Sequence, residues 1–213
     1  GVAVPKSWEE FLEIAPLLQQ KGYIPLALGG QPWQLRILFN NVLLSVGGVE
    51  LYKEVMINHN PEAIDSEATA GVFKLFGKLK KFIDADSPDR SWSDTTRLVI
   101  EGKAAMQIMG DWAKGEFAQA GQSPGGDFLC EPSPGTDQKY LIVSDVFVAP
   151  VAKRPQDLAI QDQMARLMMA PDTLEKFNIT KGSIPTRTDV PNGAFDACSQ
   201  KAMRDIAAGA TII

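Results

Sequence analysis

Asp111 and Trp112 stand where the apolar run "KAAMQIM" (103–109) ends, after Gly110, so an acid and a large flat ring leave one segment end together. Ser144 and Asp145 interrupt a second apolar run, "YLIVSDVFVA" (140–149), and Lys181 with Gly182 closes a helical segment ahead of "SIPTR". A carboxylate and an ammonium both bond hydroxyl groups, and an indole face packs on the C–H face of a pyranose. Gathered in one cleft, Asp111, Trp112, Asp145 and Lys181 would suit a sugar. Each also has a plainer role. Trp112 opens an amphipathic stretch and fits a core position. Asp111 is placed to cap a helix over 112–120. Lys181 is a helix-end cation that answers the macrodipole. Asp145, inside an apolar strand, needs a partner for its charge.

Other chemistry finds little support in the residues. There is no P-loop, HExxH or GxGxxG pattern, and the single histidine, His59 in "INHNPEAID", reads as a surface residue. With 26 acids in the chain, a carboxylate pair for glycoside hydrolysis stays open, but nothing singles one out. Two cysteines, Cys130 and Cys198, without a CxxC disfavour zinc. They read equally as a bridge or as two buried thiols. A net charge of −5 argues against a nucleic-acid surface, and "KLFGKLKKF" (74–82) reads as a solvated lysine face. No apolar run approaches the ~20 residues of a membrane span. The chain opens almost at a helix start and stops at "GATII", which reads as a cut from something longer, so the compartment is not legible at its ends.

The elements that would position these residues alternate. Ser7 and Glu10 form a capping-box pattern ahead of a helix ending near Gly22. "YIPLALGG" reads as a strand, and Pro32 starts a buried helix over 32–46 that carries Trp33. A helix over 66–84 follows, then a short one after Asp94 as cap, the strand 103–109 and the helix 112–120. Strands are expected at 127–132 and 140–149, and helices at 155–169, 171–179 and 194–208. Strands alternating with helices predict an α/β protein with a largely parallel sheet, whose ligands collect at the carboxyl ends of the strands.

Three stretches in this order carry a resemblance. "VPKSWEEFLEIAPLLQQKGYIPLALGG", "VIEGKAAMQIMGDWAKGEF" and "GSIPTRTDV" resemble the extracellular solute-binding proteins of carbohydrate ABC transporters, the broad family that includes maltose-binding protein. "MGDWAKGEF" with "PGTDQKYLIVSDVFV" is most similar to the glucose-binding branch. The resemblance implies a periplasmic-binding-protein-like (class II) α/β fold of two lobes closing as a clamp, with the first lobe largely missing from this chain. Residues 1–132 would begin the second lobe, 133–170 return to the first, and 171–213 complete the second. It implies no catalysis, cofactor or metal, but a periplasmic protein that takes a monosaccharide, glucose or a close relative. Permease subunits, and a chemoreceptor, would be its partners. Trp112 becomes a stacking platform, Asp145 an acceptor and Lys181 a donor, while Trp33 belongs to the core or flanks the cleft. For an exported protein the Cys130–Cys198 bridge is favoured. Strand 140–149, deprived of sheet neighbours, would leave an edge that invites oligomers. A carbohydrate-active enzyme using a carboxylate pair, or a protein-interaction module for a chemoreceptor, is the rival reading.

Overall fold

The computed structural model describes residues 2–213. Helix α1, Trp8–Gln20, starts where Ser7 Oγ accepts the Glu10 N–H at 3.2 Å. The Glu10 carboxylate reaches back to the Lys6 N–H at 2.7 Å, one residue further than the box pattern places it. Trp8, Phe11, Ala15 and Leu18 form its buried face; of the apolar set Phe11, Ile14, Leu17 and Leu18 that the spacing predicts, Leu17 is exposed and Ile14 only partly covered. Strand β1, Ile24–Ala27, lies parallel to β2, Ala104–Gln107, in the register Ile24↔Ala104, Leu26↔Met106 and Ala27↔Gln107. Both strands therefore end on the same side.

Helix α2 spans Pro32–Met56, ten residues beyond the predicted end. The extension is possible because Gly48 adopts φ 69°, a left-handed break that a residue with a Cβ resists, and the chain resumes helical geometry after it. After α3 (Pro61–Ile64), α4 spans Glu67–Leu79, capped by Ser66 Oγ on the Thr69 N–H. The packing of α2 and α4 with α1 and the β1–β2 pair buries Phe11, Leu26, Leu38, Val42, Leu43, Val72 and Leu79 in the main core. Each such side chain contributes about 1.5–3 kcal/mol relative to exposure. Helix α5, Trp92–Ile100, is capped by Ser91, not Asp94. The helix starts three residues earlier than expected, which leaves Asp94 in its first turn as a partner for the Ser91 hydroxyl.

Beyond β2, a 3-10 turn, Asp111–Ala113, runs into α6, Lys114–Gln119. The predicted strand at 127–132 does not form. Only an isolated bridge joins Pro124 and Phe128, and the segment straps across α6 by stacking Phe128 on Phe117, ring centroids 4.2 Å apart. Cys130 and Cys198 are joined, closing a loop of sequence separation 68. The predicted strand 140–149 also fails: β3 is Lys139–Tyr140 alone, parallel to β4, Thr211–Ile212. One more bond, Ile142 N–H to the Ile213 carbonyl at 2.9 Å, follows before the chain leaves its partner. With nothing further to pair against, residues 143–153 adopt no regular structure, and the strand edge expected to drive oligomers is absent. Helices α7 (Pro155–Met168), α8 (Pro171–Lys181) and α9 (Ala197–Ala207) complete the chain, with Leu174, Val190 and Phe195 in a second small core.

Closing a loop of this length restricts the unfolded chain and stabilises the fold by about 4 kcal/mol in the chain-entropy account. Urea unfolding with and without reductant checks this. The midpoint is expected to fall on reduction; an unchanged midpoint would show that the bridge contributes nothing.

Candidate functional site

The parallel register delivers two loops to one place. After β1 come Leu28, Gly29 and Gly30, then Gln31 as the residue before α2. A Cβ at Gly30 would lie 1.9 Å from the Pro88 carbonyl oxygen, so only glycine lets the 87–90 segment close over the strand end. Pro32 then fixes the first turn of α2 and presents Trp33. After β2, the chain reaches Gly110, and the indole of Trp112 folds back onto it so closely that a Cβ there would lie 2.1 Å from the ring. The result is a tryptophan pair, Trp33 and Trp112, with centroids 6.4 Å apart and planes inclined by 51°. Both rings are half-buried, leaving faces available. Trp33 is thus beside Trp112 rather than in the core.

Glutamine amides tie together the segments around the two strand ends. Gln34, fully buried, accepts the Gly29 N–H at 3.1 Å and donates to Gln31 Oε1 at 2.9 Å, which also accepts the Trp92 N–H. Gln107, at the end of β2, donates to the Thr96 hydroxyl at 3.0 Å. Sequence reading missed these glutamines because an amide carries no motif. Their only signal was their place beside strand ends.

Asp111 does not cap a helix. The 3-10 turn begins at Asp111 itself, preceded by Gly110, and the carboxylate instead accepts the Ile184 N–H at 3.0 Å and bonds the Ser183 hydroxyl. Although the residue keeps an open side to solvent, protein packed about its carboxyl raises it above the ordinary carboxylate range, against the pull of Lys114, of these bonds and of Lys181. Its role is to tie the end of α8 to the 111–113 turn. The same junction needs Gly182, the left-handed cap of α8 at φ 84°, where a Cβ would stand 2.8 Å from the Gly115 nitrogen.

Lys181, the last residue of α8, forms an ion pair with Asp145 and sits 5.9 Å from the centre of the Phe177 ring. Asp145 is not the buried strand carboxylate expected: its side chain is 74% exposed, on the irregular 143–153 segment. An exposed pair of this kind contributes less than about 1 kcal/mol, which leaves both groups free to exchange partners. Asp111, Lys181 and Asp145 therefore share one neighbourhood, joined to Trp112 through the chain. Two concavities, of about 670 and 380 Å³, lie elsewhere, along Pro150–Gln161 and Ile64–Phe73. None of the four lines either concavity. Among the described residues, no three of His, Cys, Asp and Glu gather as metal ligands.

Comparison with known proteins places this chain in a family. The model of the "Bacterial extracellular solute-binding protein" family matches residues 1–161. The chain belongs to that family. A "Probable sugar-binding periplasmic protein" of Brucella suis is 41% identical over 207 residues, covering 97% of the chain and 48% of the relative. One of Rhizobium meliloti is 39% identical, covering 97% and 50%. This solute-binding chain thus spans about half the length of the curated relatives it matches. Among solved structures, a "Chitin oligosaccharide binding protein" superposes with a TM-score of 0.76 at 15% identity, covering 100% of the chain and 55% of that structure. The solute receptor AcbH, described with a preference for b-D-galactopyranose, gives 0.66 at 19% identity, covering 100% and 54%. At these identities the likeness establishes the fold: the periplasmic-binding-protein architecture inferred from the motifs.

Two variants of the solute-binding chain check the junction. Gly182→Ala is expected to cost about 1 kcal/mol or more in urea unfolding, because both φ and space oppose a methyl group; full stability would contradict the close contact. Asp111, whose carboxyl is raised in the fold, favours the folded state most when protonated. Its contribution falls as pH rises from the ordinary carboxylate range through the raised value. Asp111→Asn should therefore gain stability relative to wild type above that window and lose the advantage below it.

Proposed function

We propose that this chain belongs to the sugar-binding component of an ABC import system in the periplasm, and that it binds without altering its ligand. The observation that carries the reading is the juxtaposition of Trp33 and Trp112 beyond the ends of two parallel strands, with Asp111 next to Trp112 in the chain and the Lys181–Asp145 pair near Asp111. Trp112 offers a face for the C–H side of a pyranose, and Trp33 borders it. Lys181 and Asp145, weakly held by each other, turn to ring and hydroxyl oxygens as donor and acceptor. Asp111 supports the turn instead of contacting the ligand. The ligand in our reading is a monosaccharide, glucose or a close relative, as the likeness to the glucose-binding branch implies. The names of the curated relatives support a sugar, and the solved neighbours named for galactopyranose, raffinose and chitin oligosaccharide show how varied the family's sugars are.

An exposed apolar stretch also has a reading in this frame. Along 143–167 the apolar side chains point outward, with Val146 78%, Phe147 74% and Val148 88% exposed, followed by Leu158, Ile160, Met164 and Leu167 on α7. Exposed apolar surface of this extent marks an interface. Its occupant in our reading is the half of the family's length that this chain does not cover, so 133–170 would serve that lobe while 1–132 and 171–213 form the other. Ligand closing the two lobes is then a population shift that a membrane permease reads.

Titration calorimetry with D-glucose, D-galactose and raffinose tests the reading. With one face of the clamp in hand, this chain is expected to bind a monosaccharide near millimolar, on the order of −4 kcal/mol, and Trp112→Ala to abolish that binding. Sub-micromolar binding would contradict the half-site reading. Turnover of aryl glycosides would replace binding with catalysis.

A further inference from the structure

Lys114 is a buried cation whose setting the sugar contacts do not explain. It is the first residue of α6 and follows Trp112 by two positions. Its Nζ donates to Asp196 Oδ2 at 2.8 Å and to the Ser199 hydroxyl. Asp196 is the N-cap of α9, and its Oδ1 accepts the Ser199 N–H at 2.9 Å. Burial opposes charge on Asp196, yet the Lys114 bond and the Ser199 N–H together hold its carboxyl below the usual range. Cys198, between the two acceptors in sequence, is bridged to Cys130, so the first turn of α9 is fastened twice.

A buried ion pair is a poor way to gain stability, because well-packed apolar residues often do as well. What it supplies is geometry: the ammonium has one place where its charge is met. The backbone of the 111–115 turn is held on its other side by the end of α8, through the Asp111–Ile184 bond and the close approach of Gly182 to Gly115. A turn gripped from α8 on one side and α9 on the other has little freedom to rotate.

We propose that Lys114 is a positioning residue, whose anchorage to the first turn of α9 sets the placement of the Trp112 ring beside Trp33. Its consequence for ligand rests on the sugar-binding reading above; the placement itself does not.

The test compares Lys114→Met and Asp196→Asn in the full chain, with Ser66→Ala as control. Asparagine is as good an N-cap as aspartate, so Asp196→Asn keeps the cap of α9 and removes the charge. Ser66→Ala removes the cap of α4, away from the turn. Near-ultraviolet circular dichroism and acrylamide quenching, without sugar, report the tryptophans, and repeating each variant with Trp112→Phe assigns the change to Trp112. Both variants are expected to alter the signal when Trp112 is present and not when it is absent, while Ser66→Ala lowers the urea midpoint and leaves the signal alone. An unaltered signal in Asp196→Asn, or an equal change in Ser66→Ala, overturns the proposal. Should Lys114→Met fail to fold, Asp196→Asn decides. In D-glucose titrations the same variants should bind about tenfold more weakly, a step of ~1.4 kcal/mol, and undiminished affinity would count against the proposal. A wild-type chain that ignores D-glucose refutes glucose as ligand and leaves the tryptophan signal to judge Lys114.

Discussion

The parallel pairing of β1 with β2 is the constraint on which the rest depends. Because Leu26 stands opposite Met106 and Ala27 opposite Gln107, both strands release their chains at the same level and on the same side. An antiparallel pairing would send the two loops to opposite ends. Parallel strands need a crossover between them, and here α2, α4 and α5 supply it, burying the main core as they do so. The core is thus also the device that brings residue 33 to residue 112. Packing and site are one arrangement.

Close backbone contacts refine that placement. Gly30 admits the Pro88 segment, Gly110 admits the indole of Trp112, and Gly115 with Gly182 lets the end of α8 meet the turn after β2. At each point a methyl group would push apart two segments that meet near the strand ends. Asp111 then spends its carboxylate on the Ile184 N–H, a bond that fixes backbone and leaves the outward role to Lys181 and Asp145. Rigid support beneath, with loosely held polar groups above, suits a surface that exchanges water for hydroxyls.

Much of this was legible in the residues. The Ser7 and Glu10 capping pattern marks the start of α1, and Pro32 marks the start of α2, because both signals are local. Lys181 reads as a helix-end cation and is the last residue of α8, again a local signal. The failures have a common cause. The runs 127–132 and 140–149 have the apolar content of strands, but a strand exists only with a partner, and pairing is not written in the run itself. Phe128 and Cys130 were taken up by Phe117 and Cys198, and Val146 to Val148 stay largely exposed. Asp111 was misread as a cap because its true partner, Ile184, lies 73 positions away. Gln31, Gln34 and Gln107 escaped for the same reason: an amide becomes informative only when the fold supplies its partners.

The tryptophan pair is where fold, turn and ligand face meet, so it is the place to test the whole account. Nuclear Overhauser effects between the Trp33 and Trp112 ring protons, measured on the chain in solution, address it directly. Cross-peaks between the two indoles are the predicted result. Their absence in a folded chain, with each ring showing contacts only to its own helix, would mean that the two strand ends do not converge, and the sugar face would have no foundation.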